Sequence, residues 1–202
     1  MNATSHHPIR CRCGTLQGHV AAASGATHAV CYCRDCQAYA RFLGTGEIAD
    51  VDGGTRVVAT LPRHVALTAG LQCLACMSLS ERGLLRWFAS CCNTPIGNTP
   101  RDPKVPYVGL VHNCLEHGGS SVDASFGPPR VAVNTGSAPR PVTSSRAATV
   151  AAVARLMSRA AVDRMSGAYK RNPFFLAGTR TPIRTVTVLS DAERQRVYRA
   201  DA

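Results

Sequence analysis

The sequence predicts a mostly β domain over residues 9–117, followed over residues 118–202 by a linker and a mainly helical extension. Three observations carry this reading. Short apolar runs recur between turn signals through the first half. The composition shifts to Gly, Ser and Pro after residue 117, and one long helical periodicity appears only beyond that shift. Hydrophobic residues make up 45% of the 202 residues and aromatics only 5%. Val, Leu and Ala must therefore fill most of the core.

The elements follow in order. Residues 9–20 read as a strand carried by Ile9, Leu16 and Val20, interrupted by a knuckle at 11–14. Residues 28–30 form another short strand. Asp35 is placed to cap a short helix over about 36–42, which Gly44 ends. After the turn signal Asp52-Gly53-Gly54, residues 55–61, 65–69, 71–79, 84–89 and 107–112 read as strands. Trp87, the single tryptophan, is expected near the Cys91-Cys92 pair. Residues 118–145 read as loop and linker. The best helix spans 149 to about 167, with Val150, Val153, Ala154, Met157, Ala161 and Met165 near one face. Residues 184–189 read as a strand, and Ser190 or Asp191 caps a last helix ending near Ala200.

The net charge of +11 is uneven. Twelve of the 23 basic residues, but only four of the 12 acidic ones, lie from Arg140 onward. Only Lys104 and Lys170 are lysines, so the charge reads as an arginine bias. The extension also lacks the aromatic–basic interleaving of a single-strand binder, which argues against nucleic acid as a partner. The N-terminus has no apolar signal core, and no run approaches the roughly 20 apolar residues of a membrane span. The expectation is a cytoplasmic protein with reduced thiols and no membrane partner.

Ten cysteines carry the chemistry. Residues two apart on a strand point the same way, so Cys11 and Cys13 can present two thiolates together. Gly14 frees the turn beneath them. Structural zinc is usually closed by four donors, and the Cys91-Cys92 pair is the most plausible source of the rest. Cys31, Cys33 and Cys36 form the sharpest local signal. Three thiolates within six residues can cap one face of a tetrahedron, and three protein ligands with an open position is the pattern of catalytic zinc. A closed structural site with a donor from elsewhere is the competing reading. Thiolate-rich zinc suits soft sulfur ligands better than water activation. Arg34, beside this cluster, could attract a substrate carboxylate. Cys73, Cys76 and Cys114 read as small core residues. His28, His64, His112 and His117 have no ligand spacing, and His6-His7 reads as a frayed terminus.

The order Cys-x-Cys-Gly, then Cys-x-Cys-x-x-Cys about twenty residues on, then an aromatic and a Cys-x-Thr-Pro turn resembles the glutathione-dependent formaldehyde-activating (Gfa) and CENP-V domain family. The resemblance covers about residues 9–113. It implies a mostly β, Mss4-like fold with two zinc ions, one structural and one catalytic. Cys11 and Cys13 match half of the structural site. Cys31, Cys33 and Cys36 match the catalytic one. The implied activity joins formaldehyde to glutathione and is classed with carbon–sulfur lyases. One departure stands out. Where the family has Cys-x-x-Cys-Gly, this chain has Ala89, Cys92 and Asn93. Either Cys91 replaces the missing ligand, or the site holds three protein thiolates. Two functions are therefore carried forward. One is a zinc enzyme acting on glutathione or another thiol adduct, and the other is a non-catalytic scaffold in which both zinc ions are structural.

Overall fold

A computed structural model of the chain describes residues 6–22, 25–44, 48–116 and 119–199. Their elements run β1 (His6–Arg10), β2 (Gln17–Ala21), β3 (Thr27–Cys31), α1 (Arg34–Leu43), β4 (Thr55–Thr60), β5 (Val65–Ala69), β6 (Leu74–Ser78) and β7 (Leu85–Ala89). Next come β8 (Thr94–Thr99), β9 (Val108–Val111), α2 (Asn113–Glu116), α3 (Val122–Phe126) and β10 (Val131–Val133). The chain then forms α4 (Arg146–Ser166), β11 (Val186–Val188) and α5 (Asp191–Tyr198). The protein is mostly β, with a few helices.

Two sheets organise these strands. The smaller has the antiparallel order β1-β2-β5. The larger runs β10-β3-β4-β9-β8-β7-β6-β11. Its two edges, β10 and β11, are parallel to β3 and β6. Parallel pairing needs a long connection, and both edge strands arrive from the C-terminal part of the chain by such crossovers. Ile9, Leu16 and Val20 of the small sheet's segment bury against Val58, Leu85, Ile96 and Leu110 of the large one. Trp87 is fully buried in β7, and its ring centroid lies 5.1 Å from that of Phe174. Trp87 Nε1 donates to Thr99 Oγ1 at 2.9 Å, so the indole's polar atom is satisfied inside the core.

Several expectations change. Residues 118–145 hold α3 and β10 as well as loop, because β10 completes an otherwise bare edge at β3. The long helix buries a different face from the one its larger side chains mark. Val150, Met157 and Met165 are exposed, whereas Ala160 and Asp163 are buried. Ala152 packs beside Ala29, Val57 and Val131. Small residues let the helix approach the sheet closely, and Arg63 Nε draws Asp163 inward at 2.8 Å. His7 is not frayed. It is 1% exposed, with ring nitrogens 2.7 Å from Ser125 Oγ and 2.9 Å from the Leu115 carbonyl oxygen. Ser190 caps α5 through a capping box with Glu193, as its position predicts. His117 and the expected helix end near Ala200 lie outside the described residues.

Candidate metal centres and the adjoining cavity

The first centre joins the two sheets. Cys11 and Cys13 lie in the turn between β1 and β2, and Cys91 and Cys92 in the turn between β7 and β8. Gly14 has φ 80°, and a Cβ there would collide with the Arg10 guanidinium. The turns are tied directly. Arg12 N–H donates to Thr94 Oγ1 at 3.0 Å, and Arg12 Nη2 donates to the Cys92 carbonyl at 3.2 Å. All four sulfurs lie within 4.8 Å of one another. Cys11 is 3.5 Å from Cys13 and 4.0 Å from Cys91, and Cys13 is 3.2 Å from Cys91. Zn–S bonds of about 2.3 Å in a tetrahedron require sulfurs about 3.8 Å apart, so the donor set fits a zinc-sized ion. Ala89 ends β7, fully buried, and its carbonyl accepts from Cys92 N–H at 3.3 Å as the turn begins. Cys91 supplies the sulfur that the turn brings to the cluster.

The second centre is local. Cys31 ends β3, Cys33 is the N-cap of α1, and Cys36 lies in its first turn. The cap expected of Asp35 is made by cysteine instead, because Cys33 Sγ accepts from the Cys36 N–H at 3.3 Å. These three sulfurs lie within 4.8 Å of one another. The positive end of a helix favours thiolate there. Asn134, just beyond β10, donates to Cys31 Sγ at 3.3 Å.

Proton sharing separates clustered from lone thiols. Hydrogen bonds with Cys33 and then Cys36 hold Cys31 far below the ordinary thiol value. Hydrogen bonds with Cys31 and then Cys33 push Cys36 well above it. One sulfur of the trio ionises readily and the last resists, and a bound dication supplies the charge that lets all three ionise. At the other centre the Thr15 hydroxyl is the main cause that lowers Cys13 to about 6. Burial pushes Cys76 up to about 12 and raises Cys114 further. Those two match the core thiols expected from the sequence and remain unreactive. Cys73 is half-buried, with its carbonyl accepting from Ser90 N–H at 2.8 Å.

A cavity of about 300 Å³ opens beside Cys31, Cys33 and Cys36. Its polar lining includes Asp35, Arg86, Asn98, Tyr107 and Asn134. Arg86 is 2% exposed. Its Nη1 donates to Asn98 Oδ1 at 3.2 Å, and its Nη2 lies 3.5 Å from Asp35 Oδ2. The guanidinium also sits 5.2 Å from the Tyr39 ring centroid. Arg34, the cation expected at this site, is exposed and stacks 5.9 Å from the Tyr198 ring centroid instead. Sequence reasoning missed Arg86. Its signal was a lone charge inside the apolar run Leu84-Leu85-Arg86-Trp87-Phe88. Asn98 and Asn134 carry no comparable mark.

These features define a mostly β protein with two cysteine-rich groups that could each hold a metal ion. Residues 4–180 match a family described as a family of unknown function, DUF6151, and the chain belongs to that family. No curated protein matches it. Among solved structures it is similar to a Rhodobacter sphaeroides protein, a structural-genomics target, at 17% identity and a TM-score of 0.38. The match covers 58% of this chain and 93% of that one. Among the described residues, no helix is long and apolar enough to cross a membrane.

Proposed function

We propose that the protein is a zinc-binding member of the Gfa and CENP-V kind, with an Mss4-like β core, acting on a thiol adduct as a carbon–sulfur lyase-type enzyme. The observation that carries this reading is the inequality of the two centres. One gathers four cysteines from two turns, while the other gathers three and opens onto a cavity. Four thiolates complete a structural zinc site, and three leave a position for a substrate atom. Asp35, the nearest carboxylate in sequence, is engaged elsewhere. It faces Arg86 and accepts from the Tyr198 hydroxyl.

A zinc ion held by Cys31, Cys33 and Cys36 would supply a soft electrophilic centre for a substrate sulfur. The chain's own residues do the rest. Arg86 and Asn98 place fixed donors and acceptors at the cavity wall, where an aldehyde-derived oxygen can be oriented. The aliphatic lining from β3, β4 and α4 offers water no hydrogen-bonding partner, which limits its competition for the carbonyl carbon.

Elemental analysis of the purified full-length chain should give two zinc equivalents, with one lost in Cys33→Ala. In cobalt-substituted protein, small thiols should shift the visible absorption of the Cys31/Cys33/Cys36 centre. A cobalt spectrum indifferent to every thiol would sink the enzymatic reading and favour a non-catalytic scaffold.

A further inference from the structure

We infer that the cavity beside Cys31, Cys33 and Cys36 selects compact thiols with an uncharged aliphatic body, and discriminates against glutathione. The inference rests on the thiol reading proposed above and names its substrate class.

The register of the large sheet carries the argument. The cavity floor is one sheet face. On β10, β3 and β4 that face is aliphatic: Val131 pairs with Ala29, and Ala29 pairs with Val57. α4 roofs this flank with Ala152, Val153 and Leu156. One row along, Ala59 pairs with Gly109, Gly109 with Asn98, and Asn98 with Arg86. The polar flank thus lies across β9 from the aliphatic one, beneath the start of α1. A bound molecule meets sulfur donors and most of the hydrogen-bonding groups at one side and a largely aliphatic wall, with Thr27 its polar member, at the other.

Size and charge narrow the occupant. About 300 Å³ is the lower limit of the roughly 300–1,000 Å³ typical of ligand pockets. Glutathione is a tripeptide with two carboxylates and an ammonium group. Arg86 is the cation in the lining, and it already faces Asp35 and Asn98. Even with a zinc ion among the three thiolates that centre stays net negative, so the two carboxylates would enter beside Asp35 with Arg86 already engaged and only glutathione's own ammonium to offset them, which burial penalises. An alkyl body meets no such penalty, and each methylene removed from water tightens binding about fourfold. The roofing helix lies in the C-terminal part of the chain, so the selecting surface is built by residues far in sequence from the cysteines.

The test titrates cobalt-substituted full-length protein with 1-butanethiol, 2-mercaptoethanol and glutathione, following the visible spectrum. Butanethiol should bind at least about tenfold more tightly than either of the others. Ala152→Phe, and separately Leu156→Phe, should weaken butanethiol by about tenfold while mercaptoethanol and cobalt content hold. Glutathione binding as tightly as butanethiol overturns the inference. So does a loss that falls equally on both small thiols in both variants. If no thiol alters the spectrum, the underlying thiol reading fails first and takes this inference with it.

Discussion

The two cysteine centres use the same donor atom in opposite ways. The first draws Cys11 and Cys13 from one sheet's turn and Cys91 and Cys92 from the other's, nearly eighty residues apart. The second draws Cys31, Cys33 and Cys36 from one strand-to-helix junction. Donors distant in sequence come together only when the fold forms, so an ion held there stabilises the folded state directly. Donors local in sequence need little of the fold to meet. They also face one side, which leaves the opposite side to the cavity. The difference teaches that ligand spacing along the chain, as much as ligand count, separates a stabilising centre from one with room for chemistry.

The largest expected effect tests the first half of that comparison. Cys92→Ala should lose about one metal equivalent and several kcal/mol of stability, read by elemental analysis and urea unfolding. Equal stability with full metal content would remove the clasp from the comparison. Cys91→Ala comes next. It should lose most of the same metal equivalent, because Cys91 stands 3.2 Å from Cys13 and supplies the sulfur absent at Ala89. Undiminished affinity for that ion would leave Cys91 a bystander and make the first centre a three-thiolate site as well. Cys33→Ala should also cost one metal equivalent, yet lower stability by only about 1–2 kcal/mol. A loss as large as that of Cys92→Ala would erase the distinction between the centres.

The smallest effect concerns pH. His28 is 3% exposed, donates through its ring to the Gly127 carbonyl at 2.7 Å, and has a second ring nitrogen with no partner. Burial lowers its pKa from 6.5. The unfolded chain therefore takes up the proton first, and stability falls as pH drops below about 6.5. Comparing urea unfolding at about pH 7 and pH 5.5 should show a shallower loss in His28→Gln than in the parent. This loss comes in addition to proton competition at the metal ligands, so the two proteins must be compared at matched metal content. Parallel pH profiles would remove His28 from the acid sensitivity and leave it to the cysteines and to His64 and His112, whose pKa values burial also lowers.

Much of the candidate site was legible because spacing is a sequence property. Cys31-x-Cys33-x-x-Cys36 needs only a strand end and a helix start to converge, and local propensity supplies both. Alternating apolar runs marked the central strands for the same reason. The α4 face was misread because periodicity weighs side-chain size, whereas the buried face uses small alanines and an aspartate paired with Arg63. Arg86, which the sequence reading passed over, takes the place expected of Arg34; its lone charge in an apolar run marks burial, but nothing local says that a cavity adjoins it.

By itself, then, the sequence determined the donor atoms, the grouping of three, and a mostly β chain with a helical tail. Those follow from residue type and from contacts within a few positions. The sequence offered the Cys91-Cys92 pair to Cys11 and Cys13, but only the tertiary structure decided that both sulfurs meet them, that Arg86 and Asn98 face the second centre, and that α4 roofs its cavity. Such pairings join residues tens of positions apart, and sheet register and close packing select them where local pattern carries no record of the partner.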